Sequence, residues 1–175
     1  MLSHASISTT QAEGPDPEQL AARVEAILES TAHGTLATVT PDGQAWANTI
    51  RYTYDDGLRL YFVSSPTTQH AENIAVHPSV ALSVFDSSQR GPKRGLQLFG
   101  TCSLAEGDAF EQGYALMRAR FDWFRLLAPV SSDLQKDDAH VRLYVVSTEH
   151  AKVLDEDAFG WSPVAFATTG ALAFR

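Results

Sequence analysis

From residue 35 to residue 64 the chain alternates short strand-like runs with two tight-turn signals: "TLATVT", "PDGQ", "AWANTIRYTY", "DDG" and "LRLYFVS". Strand side chains alternate between faces, and Asp-Gly turns send the chain back antiparallel, so the spacing predicts three strands in series, a meander. "SVALSVFD" and "LQLFGTCSLA" continue the pattern, and "HVRLYVVSTEHAKVLD" is long enough for a closing strand and its return. Two segments break the period of two. "DPEQLAARVEAILESTAHG" sets Leu20, Val24, Ile27 and Leu28 at helical spacing, with Asp16 placed to cap, Pro17 at the first helical position and a stop near Gly34. A second helix is expected from Asp108 to Phe121, with Phe110, Tyr114, Met117 and Phe121 on one side. Six or seven strands with two flanking helices predict a mainly β fold, an antiparallel barrel closed wholly or in part, because closure removes unpaired edges.

With 175 residues, 44% of them hydrophobic, one substantial core is expected, hence one domain. The expected division is a disordered N-terminal tail over 1–15, the barrel over 16–155, and a C-terminal tail over 156–175. That last stretch, "EDAFGWSPVAFATTGALAFR", is apolar but interrupted by Gly160, Pro163 and Gly170, so it is expected to lie over the barrel or over a partner subunit. Thirteen Lys and Arg against 21 Asp and Glu give a net charge of −8, which argues against nucleic acid and anionic membrane as partners. No apolar run approaches the roughly 18 residues of a membrane span, and the single cysteine, Cys102, fits a reducing compartment. A cytoplasmic location is expected, with Cys102 as a small core residue rather than a nucleophile.

The stretch most suggestive of chemistry is "SSPTTQHAENIAVHP", residues 64–78, read as a strand end, a polar turn and a short helix stopped by proline. Ser64, Ser65, Thr67 and Thr68 supply hydroxyls and His70 an imidazole where unpaired amides and the positive end of a helix dipole would hold an anion. Ser and Thr are also ordinary helix caps, so a plain cap stands beside the anion site as the alternative. On the strand 45–54, alternation puts Trp46, Asn48, Ile50, Tyr52 and Tyr54 on one face, expected to be core. Ala45, Ala47, Thr49, Arg51 and Thr53 fall on the other, either a solvated face or a floor for a flat ligand. Arg51 lies on the strand before "LRLYFVS", so a guanidinium converging with the hydroxyl turn is expected to grip phosphate oxygens. The six histidines show no metal-ligand spacing, and the nucleotide-loop and esterase motifs are missing from the sequence. No metal site and no catalytic residue is assigned; any reactivity would come from a bound organic cofactor.

These pieces in this order, from "GTLATVTPDGQAWANTIRYTYDDGLRLYFVSSPTTQHAENIAVHPSVALSVFD" to "GLQLFGTCSLAEGD", resemble the pyridoxamine 5'-phosphate oxidase-like superfamily of FMN-binding split barrels, over roughly residues 17–155. The resemblance implies a homodimer with FMN, or in some branches a deazaflavin or haem, in a groove between subunits. It implies an oxidoreductase acting on a small organic substrate, with NAD(P)H as a candidate reductant, or else a non-enzymatic binding or storage protein. Thr68 and Asn73 stand at the hydroxyl and asparagine positions of the family's turn, and His70 stands where lysine is usual. By the same resemblance, Arg51, Ser64, Ser65, Thr67, Thr68 and His70 are cofactor candidates, Asn48, Thr49 and Ile50 lie along the ring, and Gln97 reaches it. The family's C-terminal substrate motif has no counterpart in "TTGALAFR", so vitamin B6 oxidation is not expected.

Overall fold

The computed structural model describes residues 7–9, 15–86, 88 and 91–168. Along the chain run β1 (Ile7–Thr9), α1 (Pro17–Ser30), β2 (His33–Val39), β3 (Ala45–Arg51), β4 (Thr53–Tyr54), β5 (Arg59–Ser64), α2 (Gln69–Val76) and β6 (Ser79–Phe85). They continue with β7 (Arg94–Leu104), α3 (Gly107–Arg120), α4 (Asp122–Leu127), β8 (Arg142–Asp155), α5 (Glu156–Phe159) and β9 (Val164–Thr168). The strands form one antiparallel sheet in the order β1-β9-β8-β7-β6-β2-β3, with β5 added to β8 and β4 to β5.

The expected strand 45–54 is bent, and the bend makes the barrel. β3 pairs with β2 along its whole length, Tyr52 N continues that ladder to Ala32 O at 3.1 Å, and Thr53 and Tyr54 then pair with Tyr61 and Leu60. The Tyr52 hydroxyl fixes the corner by donating to the Leu28 and Thr31 carbonyls, both at 3.0 Å. One bent strand thus links the ends of the curled sheet, while β3 and β5 share no ladder: the barrel is split there. The expected meander holds for β2 and β3, and its third strand meets the second only beyond the corner.

β8 is a single strand of 14 residues rather than a strand and its return. Residues 142–147 pair with β5 and residues 150–153 with β9, so the strand stays extended by serving two neighbours on one edge. On its other edge the register with β7 shifts between Phe99 and Gly100, and a Cβ at Gly100 would run into the Ser147 carbonyl. β9 comes from the expected C-terminal tail and closes Phe166 into the core; residues 169–175 lie outside the described residues. Within the expected disordered tail, Ile7–Thr9 depart from that expectation by pairing with β9, while 1–6 and 10–14 lie outside the described residues.

Register divides the barrel into two mouths. His33 faces Arg51, Phe85 faces Gly95 and Arg94 faces Asp155 at one end, which the apolar stripe of α1 plugs with Leu20, Val24, Ile27 and Leu28. At the other end Thr38 faces Trp46, Ser79 faces Thr101 and Ser64 faces Arg142, and α2 closes it with Ala71 and Ile74. Between the plugs lies a core containing Leu36, Leu60, Phe62, Leu82, Leu98 and Val146. The outer face is covered on one side only. α3 and α4 bury Tyr61, Leu143 and Val145 under Phe110, Met117 and Phe124, whereas the outer face of β3, β2 and β6 is left open.

Candidate functional site

The turn leading into α2 gathers its polar groups around one imidazole. Ser64 follows Leu60 and Phe62 on the inner face of β5, and its Oγ lies 2.6 Å from His70 Nε2 and 3.0 Å from Thr68 Oγ1. Thr68 Oγ1 is 3.2 Å from the same nitrogen and donates to the Ser65 carbonyl at 2.9 Å. Ser65 and Thr67 share a hydrogen bond at 3.0 Å on the exposed side of the turn. Thr68 therefore turns its side chain to the imidazole, and no side-chain bond caps α2. The plain-cap alternative does not hold at this helix.

His70 is only 7% exposed, and burial pushes its pKa below the ordinary imidazole value, so the ring is neutral at pH 7. Nε2 sits among hydroxyls in either tautomer, and Nδ1 is buried without a partner. One helical turn on, the fully buried Asn73 accepts from Gln69 Nε2 within α2 and donates to Thr38 Oγ1, both at 2.9 Å, and the second bond ties α2 to β2. On β3, Asn48 points inward beside Leu36, and its Oδ1 is a second buried polar atom without a partner. Ile50 is core.

The open outer face has a different composition. Thr49, Thr35, Ser83 and Gln97 form one cross-strand row, and Ala47, Ala37, Ala81 and Phe99 the next. Trp46, expected in the core, is 46% exposed, because β3 is an edge strand and the core ends before it. A flat strip of alanine and threonine beside an unpaired strand edge offers a surface that a second subunit or a planar ring can cover.

Arg51 does not join the hydroxyl turn. It lies on the outer face at the α1 mouth, where its Nε donates to His33 Nε2 at 3.2 Å and its guanidinium lies 5.6 Å from the Trp123 ring centre. Along β3, Arg51 and Trp46 are five residues apart, about 17 Å of strand, and it is the Trp46 end that meets α2. The expected convergence of Arg51 with Thr68 and His70 is thus corrected within one chain, because a strand's two ends reach opposite mouths. Arg142, across from Ser64, donates to the Leu134 and Asp137 carbonyls instead of the turn. Sequence reasoning missed His33 and Trp123. Counting back through the "PDG" hairpin could have placed His33 opposite Arg51, whereas the helix carrying Trp123 gave no signal.

Cys102 is buried and its thiol pKa is pushed up to about 12, which suits a core residue and not a nucleophile. Among the described residues no cluster of His, Cys, Asp and Glu could hold a metal, and no helix is long and apolar enough to cross a membrane.

Comparison with known proteins gives a family and a set of shared folds. The sequence profile of the family described as Pyridoxamine 5'-phosphate oxidase matches residues 20–154. A haem-binding protein from Mycobacterium smegmatis superposes with a TM-score of 0.66 at 21% identity, covering 84% of this chain and 57% of that one, so the chain spans little over half of that protein. The haem storage protein HutZ from Vibrio cholerae superposes at 0.59 with 19% identity, over 73% of this chain and 89% of that one. A putative pyridoxamine 5'-phosphate oxidase from Listeria innocua does so at 0.56 with 20% identity, over 77% and 98%. No curated protein sequence matches the chain.

Proposed function

The chain belongs to the pyridoxamine 5'-phosphate oxidase-like family of split barrels, and on that premise we propose that it is a homodimeric FMN-binding oxidoreductase acting on a small organic substrate. The observation that carries the reading is the buried His70, held by Ser64 and Thr68 at an uncapped helix start with its Nδ1 left over. A buried polar atom without a partner costs about 1–3 kcal/mol, a cost that a bound ligand can offset. Hydroxyls and helix amides suit the terminal phosphate of FMN, and Thr49 and Gln97 on the open face suit a ring lying between subunits.

The turn's own donors are neutral, since His70 is uncharged and Arg51 and Arg142 are engaged elsewhere. A permanent cation for a dianionic phosphate would have to come from the other subunit. When bound, the flavin would supply hydride or electron transfer, while Ser64, Thr68 and His70 would hold its phosphate end and Thr49 and Gln97 would orient its ring. Freshly purified protein is expected to be yellow and to elute as a dimer. A colourless monomer that leaves added FMN fluorescence unquenched would overturn the reading.

A second reading is a haem-binding or storage protein, since two of the structural relatives are described as haem proteins. A deazaflavin is the third cofactor in view. The absorption spectrum separates all three.

A further inference from the structure

The hydrogens of the α2 turn locate the proton of His70. Thr68 Oγ1 has one hydrogen and gives it to the Ser65 carbonyl at 2.9 Å, so it offers only lone pairs to Ser64 Oγ at 3.0 Å and to His70 Nε2 at 3.2 Å. A contact between that oxygen and Nε2 needs the hydrogen on Nε2, which therefore bears the proton of the neutral ring and faces Ser64 Oγ at 2.6 Å as well. Nδ1 is left as a bare lone pair, buried and without a donor. The one unengaged position of the neutral ring is thus the atom that a second proton would fill.

The surroundings hold that proton off. Phe62 lies 6.2 Å from the imidazole, centre to centre, and Tyr144 on β8 stacks on Phe62 at 5.2 Å. Arg142, in register with Ser64, turns its guanidinium to the Leu134 and Asp137 carbonyls, and Glu72 and His77 on α2 itself are exposed. Thr38 on β2 and Asn48 on β3 carry no charge. Among the described residues no carboxylate pairs with the ring, and burial alone lowers its pKa from 6.5. A dianion brought to the turn reverses that balance, because an opposite charge within about 4–6 Å favours the charged form.

Resting on the cofactor reading above, we infer that His70 takes a proton from solvent onto Nδ1 when a phosphate dianion enters the turn, so that binding and protonation are one event. No bond of the chain breaks: the proton leaves water or buffer, Nε2–H keeps its place towards Ser64 and Thr68, and the Ser64 hydroxyl, accepting from Nε2, keeps its own hydrogen to donate outward. The turn then holds a cation only while phosphate is present, and the grip is favoured by acid. A site that takes up one proton on binding loses affinity as pH rises, by at most about tenfold per unit. Above about pH 6.5 the phosphate is already a dianion, its second pKa being about 6, so its own titration does not produce this slope.

Calorimetric titration of FMN into the full-length chain, repeated at about pH 7 in buffers of different ionisation enthalpy, counts the protons taken up. About one proton per FMN is expected, with affinity falling as pH rises from about 6.5 to about 8.5. His70→Gln, which keeps an amide donor and cannot titrate, is expected to bind FMN with no uptake and an affinity indifferent to pH. The ring nitrogens of His70 in isotopically labelled wild type give a readout that needs no variant: neutral imidazole without FMN, imidazolium with it. FMN bound with no proton taken up, uptake undiminished in His70→Gln, or a neutral ring in the complex each overturns the inference and leaves the cofactor reading standing. FMN that binds at none of these pH values overturns both.

Discussion

α1 and α2 each close one mouth of the same barrel, and each begins after a residue type that commonly caps helices, yet the two starts are built differently. Asp16 turns its carboxylate onto the amides of Glu18 and Gln19, and the helix behind it presents a continuous apolar stripe to the core. Thr68 turns away from the amides of α2 towards an imidazole, and the helix behind it buries His70 and Asn73 among apolar neighbours. The first arrangement leaves none of the amides at the start of α1 for a ligand. The second keeps a buried donor or acceptor without a partner and a helix start without a cap, both of which cost stability. Polar groups retained at such a cost mark where a fold gives up stability for binding.

The comparison breaks or sharpens at four points, taken from the largest expected effect. Leu20→Ala empties part of the α1 plug and is expected to cost about 3 kcal/mol in denaturant unfolding, with cofactor binding unchanged at temperatures where the variant is folded. Asn73→Ala removes the hydrogen bond that ties α2 to β2 and a second one within α2, and is expected to cost about 2 kcal/mol and also to weaken the cofactor. If both variants altered the bound spectrum alike, the division of labour between the mouths would be lost.

The third point is pH. His70 has its pKa lowered in the folded state by burial, so the unfolded chain binds the proton more readily. The stability this contributes is therefore complete above the ordinary imidazole value of 6.5 and is lost as pH falls below it, through the lowered folded value. Urea midpoints should fall with acidification in that window, and His70→Asn should flatten that part of the profile. The smallest effect belongs to Asp16→Ala, about 0.5–1 kcal/mol from thermal unfolding, since the cap distances are long and the site exposed.

The fold was largely legible, because alternation and turns are local signals. The helix of Pro17–Ser30, the hairpin through "PDGQ" and the helix of Gly107–Arg120 all stand where spacing put them. What local pattern could not carry was neighbourhood. β8 reads as a strand and its return, because nothing in sixteen alternating residues shows that two different strands share one of its edges. Trp46 reads as core from alternation, and only the sheet order makes it an edge residue. The site divides on the same ground. Ser64, Thr68 and His70 lie within seven residues, and the chain's own turn brings them together. Arg51 is near them in sequence and opposite them in space, because sequence distance along a hairpin says nothing of which mouth a strand end reaches.

The central claim is that the imidazole turn at α2 receives the phosphate of a flavin, and FMN titration by fluorescence quenching tests it most directly with wild type, His70→Lys and Ser64→Ala side by side. Saturable quenching is predicted in the wild type. His70→Lys should bind about tenfold more tightly, by adding a permanent charge-assisted hydrogen bond, and Ser64→Ala more weakly. FMN that fails to bind, or binds all three proteins with one affinity, would contradict the account.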